Sequence, residues 1–263
     1  MSGRFEAPKG TFDHLPPASG ARAEVERIML AQARLAGYQP IETPIFEDTA
    51  VFARGVGEAT DVVQKEMYTF TDKGGRSLTL RPELTAGIVR ALIEHGRLTT
   101  GLTKVVCSGP QFRYERPQAG RQRQFTQVDI EAMGSDVPAI DADVVLVGHE
   151  VFRRLGIPVT LLLTSLGDAS CRPAYREALL GFLRGLGDRL PGAARARAEQ
   201  NPLRVLDMKD PLVEELTADA PLMRDFLCGA CKAHDEAVRE LLAAVGLEWV
   251  EAPRLVRGLD YYV

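Results

Sequence analysis

The stretch Phe112-Arg113-Tyr114-Glu115-Arg116-Pro117-Gln118-Ala119-Gly120-Arg121-Gln122-Arg123-Gln124-Phe125-Thr126-Gln127-Val128-Asp129-Ile130-Glu131 decides how this chain is read. Apolar Val105, Val106 and Phe112 lead into it. Phe125, Val128, Ile130 and Ala132 lead out, alternating with polar residues, so both ends read as strands. Pro117 and Gly120 break the middle, which predicts a long hairpin with a loop at its tip. Arg113, Arg116, Arg121 and Arg123 crowd that ribbon. Guanidinium groups so close repel one another unless an anion sits among them, and their planar forks suit phosphate. Gln127 and Glu131 stand at even spacing on the leaving strand and therefore face one way. A cationic loop beside an amide and a carboxylate predicts a site for a polyphosphate and a second, amine-bearing ligand.

Outward on the N-terminal side, Arg81-Pro82-Glu83-Leu84-Thr85 follows a hairpin signal, Lys73-Gly74-Gly75, set between two β-prone runs. Pro82 breaks the strand and a helix is expected to about residue 95. Glu83 then lies at a strand-to-helix junction, where free amides favour a carboxylate and where a plain capping role also accounts for it. Residues 38–46 carry Pro40 and Pro44 and read as an edge or interface strand. Before it, a helix is expected to about residue 35, capped by Ser19 and closed by Gly37, with Ala23, Val25, Ile28, Met29 and Ala33 as its apolar stripe. Residues 1–17, rich in Gly and Pro, read as an extended arm.

On the other side, 137–155 reads as a helix and 159–163 as a buried strand. From about Leu166 the pattern turns helical: 174–184 closed by Gly185, 211–216, 221–226 and 233–245, with 203–209 as a short buried link. This divides the chain into a core of 1–165, a helical insertion of 166–247 and a return strand of 248–263. The insertion is locally basic at Arg184, Arg189, Arg195, Arg197 and Arg204, which by default is a solvated face. Cys228-Gly229-Ala230-Cys231 with His234 offers three zinc-type ligands, one short of a closed site, and also fits a packed helical face; no metal ligand is assigned.

The 263 residues suffice for one large domain or two smaller ones. A hydrophobic content of 45% with 26% charged residues is that of a water-soluble globular chain. A net charge of −4 gives no global pull on nucleic acid, so any RNA contact must come from local basic patches. No apolar run follows Met1 and none is long enough to span a bilayer. The chain reads as cytoplasmic, with its 4 cysteines reduced.

Arg113-Tyr114-Glu115-Arg116-Pro117 with Arg123-Gln124-Phe125 resembles motif 2 of the class II aminoacyl-tRNA synthetases. Leu255-Val256-Arg257-Gly258-Leu259-Asp260-Tyr261-Tyr262 resembles the histidine-specific motif of the histidyl-tRNA synthetase family, and the likeness runs from Pro8-Lys9-Gly10-Thr11 to the last residues. The resemblance implies an α+β fold of the class II synthetase type, a mainly antiparallel sheet flanked by helices with a helical insertion. It implies ATP-dependent activation of L-histidine to histidyl-adenylate and transfer to tRNA(His), with Mg2+ on the pyrophosphate oxygens. Arg113 and Arg257 match the catalytic pair that flanks the α-phosphate from opposite sides. Glu115 matches the residue at the adenine edge, Phe125 the ring stacked on adenine, and Arg121 and Arg123 the contacts to the outer phosphates. Glu83, Thr85, Gln127, Glu131, Tyr261 and Tyr262 match the residues that hold histidine, together with Arg113 and Arg257. The 20–46 region resembles motif 1, which implies a homodimer, and the insertion implies a place over the tRNA acceptor end.

Thr126 stands where the family often has His, and Gln122 where an aromatic is common. Members of the family continue past the tyrosines through a third motif and an anticodon-binding domain. The chain is therefore expected to be a C-terminally truncated synthetase, impaired or inactive alone. Two other readings remain: the synthetase-like regulatory subunit of ATP phosphoribosyltransferase, which lacks an anticodon domain, and a generic α/β domain with an anion-binding hairpin.

Overall fold

The computed structural model describes residues 5–56, 60, 62–98 and 101–256. They fall into two compact units: 1–136 with 143–158, and 137–142 with 159–263.

In the first unit α1 (Ala18–Leu35) leads to β1 (Gln39–Pro40). The helix starts one residue before the expected Ser19 cap. Pro17, whose ring presets a helical φ, takes the N-cap place, and its carbonyl accepts from the amides of Gly20 and Ala21. Gly37, at φ +87°, ends it as expected. Of its expected stripe only Ala33 is buried. The single strand expected over 38–46 is two. Gln39 and Pro40 pair in parallel with Val105 and Val106, whereas β2 (Phe46–Asp48) joins a different sheet. The prolines deny this segment a continuous ladder, and it crosses between the two sheets. One helix, α2 (Thr49–Val56), has no counterpart in the expected pattern.

The hairpin β3 (Tyr68–Thr71) and β4 (Ser77–Leu80) turns where expected, with β4 between β2 and β3. Then come α3 (Thr85–Glu94), β5 (Thr103–Phe112), β6 (Gln124–Met133) and α4 (Pro138–Arg154). The sheets β1-β5-β6 and β2-β4-β3 are antiparallel apart from the β1–β5 pair. Leu84, Ile88 and Leu92 of the α3 segment pack on Val105 and Cys107, while Ala33, Tyr38, Val106 and Val147 form a second core. The alternation of β5 thus feeds two apolar cores. Burying a side chain such as Ile88 contributes about 1.5–3 kcal/mol, which fixes the start of α3 against the sheet.

The second unit holds β7 (Leu162–Leu163), α5 (Arg172–Gly185), α6 (Gly192–Gln200), α7 (Leu203–Leu206), α8 (Pro211–Leu216), α9 (Gly229–Ala244) and β8 (Val250–Glu251). The buried strand expected over 159–163 shrinks to β7. It pairs in parallel with the two-residue β8, and Val159 and Leu162 are exposed, because so short a pair offers no sheet face to bury them against. The helix expected over 221–226 is a 3-10 turn, Met223–Phe226, entered from an extended Leu222. Helix α5 has Gly185 as its last residue, where its close was expected, and Leu186 takes the C-cap place. Helix α6 escapes an apolar-stripe search because its buried residues are only Ala194 and Ala198. The core of this unit centres on Tyr175, Leu179, Leu183, Leu190, Val205 and Val213.

Candidate functional site

Register positions the site. Strands β5 and β6 pair from Thr103 with Met133 to Phe112 with Gln124, placing Gln127, Asp129 and Glu131 opposite Gly109, Cys107 and Val105. Side chains alternate along a strand, so Gln127, Asp129 and Glu131 share one face. Gly109 serves a packing need beneath them: a Cβ there would strike Nη2 of Arg81. The Arg81 guanidinium is buried, donating from Nε to the Pro110 carbonyl at 2.9 Å and from Nη1 to the Thr43 carbonyl at 2.9 Å. It ties the end of β4 to the segment between β1 and β2.

The start of α3 supplies the next groups. Glu83, 3% exposed, accepts from the Thr85 amide at 2.7 Å and from the Ala86 amide at 2.8 Å. The expected capping role is thus real. Thr85 turns its hydroxyl the other way and donates to Glu131 Oε1 at 2.6 Å. Burial raises the Glu83 carboxyl, opposed by those amides, the Thr85 hydroxyl and the Arg113 charge. Burial also lifts Asp129 to about 6, helped by the Glu83 charge and opposed by Arg113. It lifts Glu131 to about 7, with the Thr85 hydrogen bond opposing and the Asp129 and Glu83 charges adding to the rise. Three carboxyls that discourage one another's ionisation make a face that gains by accepting a cation. Gln127 Oε1 lies beside them, buried and without a hydrogen-bond partner, and such an atom calls for a donor.

Arg113 is the positive counterpart. Its Nε donates to the Pro82 carbonyl at 2.9 Å, and its guanidinium lies 5.2 Å from the Phe125 ring centroid. This fixes the plane of the fork and leaves Nη1 and Nη2 to meet an anion. Further along the ribbon, Arg123 stacks 3.9 Å over the Tyr114 ring and donates to the Glu115 carbonyl at 3.2 Å. Its amide donates to the Gly10 carbonyl at 2.8 Å, which holds the N-terminal arm against the ribbon. Glu115 accepts from Arg121 Nη1 at 3.1 Å. Phe12, His14, Arg22, Gln122, Gln124, Phe125 and Thr126 line a cavity of about 250 Å³. Arg22 there donates to the Thr126 hydroxyl, the position where the family pattern often has His.

The structure therefore brings Glu83, Thr85, Arg113, Gln127 and Glu131 to one region and sets Glu115, Arg121, Arg123 and Phe125 on the adjoining ribbon. Arg257, Tyr261 and Tyr262 lie outside the described residues. Asp129 was missed, although it falls on the same two-residue alternation between Gln127 and Glu131.

The expected cysteine arrangement needs correction. Cys228, the N-cap of α9, and Cys231 in its first turn do pack together against the core of the second unit, whereas His234 is not with them: its Nε2 bonds to Asp141 Oδ2 at 2.7 Å. Cys171 and Asp168, remote in sequence, join the pair instead; among the described residues they form the one group of three or more ligand-type side chains.

Residues 10–175 match the family model described as histidyl-tRNA synthetase. The chain is 59% identical to a histidine–tRNA ligase of Nocardia farcinica over 98% of its own length and 61% of that relative's. It superposes on the apo histidyl-tRNA synthetase of S. aureus with a TM-score of 0.76 at 35% identity, covering 98% of this chain and 60% of that one. An ATP phosphoribosyltransferase regulatory subunit/histidyl-tRNA synthetase from Bacillus halodurans aligns at a TM-score of 0.68 with 20% identity, over 97% of this chain and 70% of that one, which is a likeness of fold. The chain spans about three-fifths of the length of the curated relatives it matches. No helix among the described residues is long and apolar enough to cross a membrane.

Proposed function

The chain belongs to the histidyl-tRNA synthetase family, and from that premise we propose that it carries the site for ATP-dependent activation of L-histidine, the first half of histidine–tRNA ligation. The supporting observation is the meeting of a carboxyl-rich face, Glu83, Asp129 and Glu131, with the fixed guanidinium of Arg113. Histidine has a cationic amine and an imidazole for the first and a carboxylate that travels toward the second.

Activation is in-line attack of that carboxylate on the α-phosphorus of ATP. Negative charge builds on the phosphoryl oxygens, so positioning and fixed positive charge do most of the work. Arg113 Nη1 and Nη2 supply that charge, and the family pattern assigns Arg257, which lies outside the described residues, to the same phosphate. Glu83 and Glu131, oriented by Thr85, take the substrate amine beside Gln127 and Asp129, and the family pattern assigns Tyr261 and Tyr262, which lie outside the described residues, to the same substrate. A ligand lacking those nitrogens leaves buried polar groups unpaired, which is a strong source of selection. Phe125 stacks on adenine, Glu115 reads its edge, and Arg121 and Arg123 swing to the outer phosphates. Mg2+ would be held chiefly by the phosphate oxygens of the nucleotide and by water, and would offset charge on the departing pyrophosphate.

Transfer to tRNA(His) and homodimerisation complete the proposal. Helix α1 with one buried residue, and exposed Val25, Ile45 and Phe46, leave the 20–46 region with apolar surface that a second copy would cover. Residues 166–247 act as the insertion, set between core segments 1–165 and 248–263. The regulatory-subunit reading draws only on fold, whereas Arg113, Glu115, Arg121, Arg123 and Phe125 keep the nucleotide-binding groups.

Thermal melting with ligands tests the proposal. L-Histidine and ATP each raise the midpoint, and leucine and GTP do not. Equal responses to L-histidine and leucine contradict it.

A further inference from the structure

The second unit contains a cluster that the histidine chemistry does not use. Asp168, Cys171, Cys228 and Cys231 offer one carboxylate oxygen and three sulfurs, all within 4.8 Å of one another. We propose that these four side chains form a closed, structural Zn2+ site that fastens the 165–171 loop to the start of α9.

The spacing fits tetrahedral zinc. Ligand bonds of about 2.3 Å place sulfurs at the corners of a tetrahedron with edges of about 3.8 Å. Cys171 Sγ and Cys231 Sγ are 3.7 Å apart, and Cys228 Sγ lies 4.0 Å from Asp168 Oδ2. Three thiolates and one carboxylate also fill all four positions, as structural sites do, with no place left for a reacting water.

The surroundings supply a second line of argument. Cys171 and Cys228 occupy the N-cap positions of α5 and α9, places that Ser, Thr, Asp or Asn usually take. The N-terminus of α9 therefore directs its positive end at the Cys228 sulfur, which favours the thiolate there. The Cys228 amide donates to Cys171 Sγ at 3.1 Å, and the Cys231 amide donates to Cys228 Sγ at 3.4 Å. Asp168 is held in the manner of a ligating carboxylate. Its Oδ1 accepts from the Ser170 amide at 2.9 Å, the Ser170 hydroxyl at 2.6 Å and the Cys171 amide at 3.0 Å. Oδ2, on the cysteine side, is the oxygen for the ion.

Closure of this loop also depends on Gly167. It has φ +62°, and a Cβ there would come within 2.5 Å of Met223 Cε and 3.0 Å of Cys171 Cβ. A larger residue would push the loop off the core that Cys171, Met223 and Leu227 share. Zinc binding joins positions about 60 residues apart and thereby stabilises the folded unit by the free energy of metal binding.

Elemental analysis of the purified chain after growth in zinc-supplemented medium tests the assignment. The expected result is about one zinc per chain, falling severalfold in Cys228→Ser and Asp168→Asn and unchanged in His234→Gln. Replacement of zinc by Co2+ in the unmodified chain, which requires no variant to fold, gives thiolate-to-cobalt charge-transfer absorption and the visible bands of a tetrahedral ion. Zinc below about a tenth per chain with no cobalt spectrum overturns the proposal. So does a Cys171–Cys231 disulfide in protein purified without air, because that bond removes two of the ligands.

Discussion

The Thr85 hydroxyl donates to Glu131 Oε1 across 2.6 Å, and this bond joins the first residue of α3 to β6 near the open end of the long hairpin. The Thr85 amide meanwhile donates to Glu83. One residue therefore orients both carboxylates proposed to hold the substrate amine. Thr85→Val keeps the shape and removes the hydroxyl. It should weaken histidine binding by about 10–150-fold, with a much smaller effect on ATP, since a hydrogen bond to a charged group contributes about 1.5–3 kcal/mol. Parallel titration calorimetry with L-histidine and ATP checks the split.

Acid–base behaviour follows from the raised carboxyls. Asp129 titrates at about 6 and Glu131 at about 7 in the folded chain, both lifted first by burial. Unfolded, they return to the ordinary carboxylate range near 4. Between those limits the folded state holds more protons than the unfolded state, so stability falls as pH rises from about 4 to about 7 and then levels. The urea midpoint of the ligand-free chain should decline over that window, and Glu131→Gln should flatten its upper half. A cationic ligand reverses the sign locally: it favours ionised carboxylates, so L-histidine binding should strengthen from pH 5 to pH 7.

Gly109 and Arg81 make a stability prediction. Gly109→Ala drives a methyl group into the Arg81 guanidinium, which is buried and bonded to the carbonyls of Pro110 and Thr43. Breaking a hydrogen bond to a buried charged group costs about 1.5–3 kcal/mol. Chemical denaturation should show a loss of that order, and histidine affinity should fall with it, because Gln127 is the cross-strand neighbour of Gly109.

Much of this was legible in the sequence, and the reasons differ by segment. The long hairpin was readable because alternation, Pro117 and Gly120 agree with one another. Helix α8 was marked by Pro211 at its start, and its Asp210 cap accepts from the Leu212 amide at 3.0 Å. The 38–46 segment was not readable as two strands, since its partners, β4 and β5, lie 30 to 66 residues away and leave no local trace. Helix α6 was hidden because two alanines carry its buried face. Asp129 was passed over in favour of Gln127 and Glu131 although it shares their period; its partners, Glu83 and Arg113, belong to other elements. The cysteine cluster is only partly legible for a similar reason. Spacing of 228, 231 and 234 suggested a local group, whereas folding supplies Cys171 and Asp168 and sends His234 to Asp141.

Arg113 is the residue on which activation depends. Arg113→Lys keeps a positive charge but loses the planar fork, the bond to the Pro82 carbonyl and the stacking against Phe125. It should reduce ATP affinity by about tenfold or more while leaving the unfolding free energy in urea within about 1 kcal/mol of the parent, since little apolar packing is lost. Fluorescent-nucleotide titration alongside denaturation separates the two effects.

Calorimetric titration of L-histidine into the chain and into Glu131→Gln at pH 7 tests the central claim most directly. The carboxyl face at β6 and the start of α3 predicts saturable binding of L-histidine, no binding of leucine, and at least about tenfold weaker binding of L-histidine to the variant. Equal affinity of the two proteins for L-histidine would contradict the assignment of that face to the substrate.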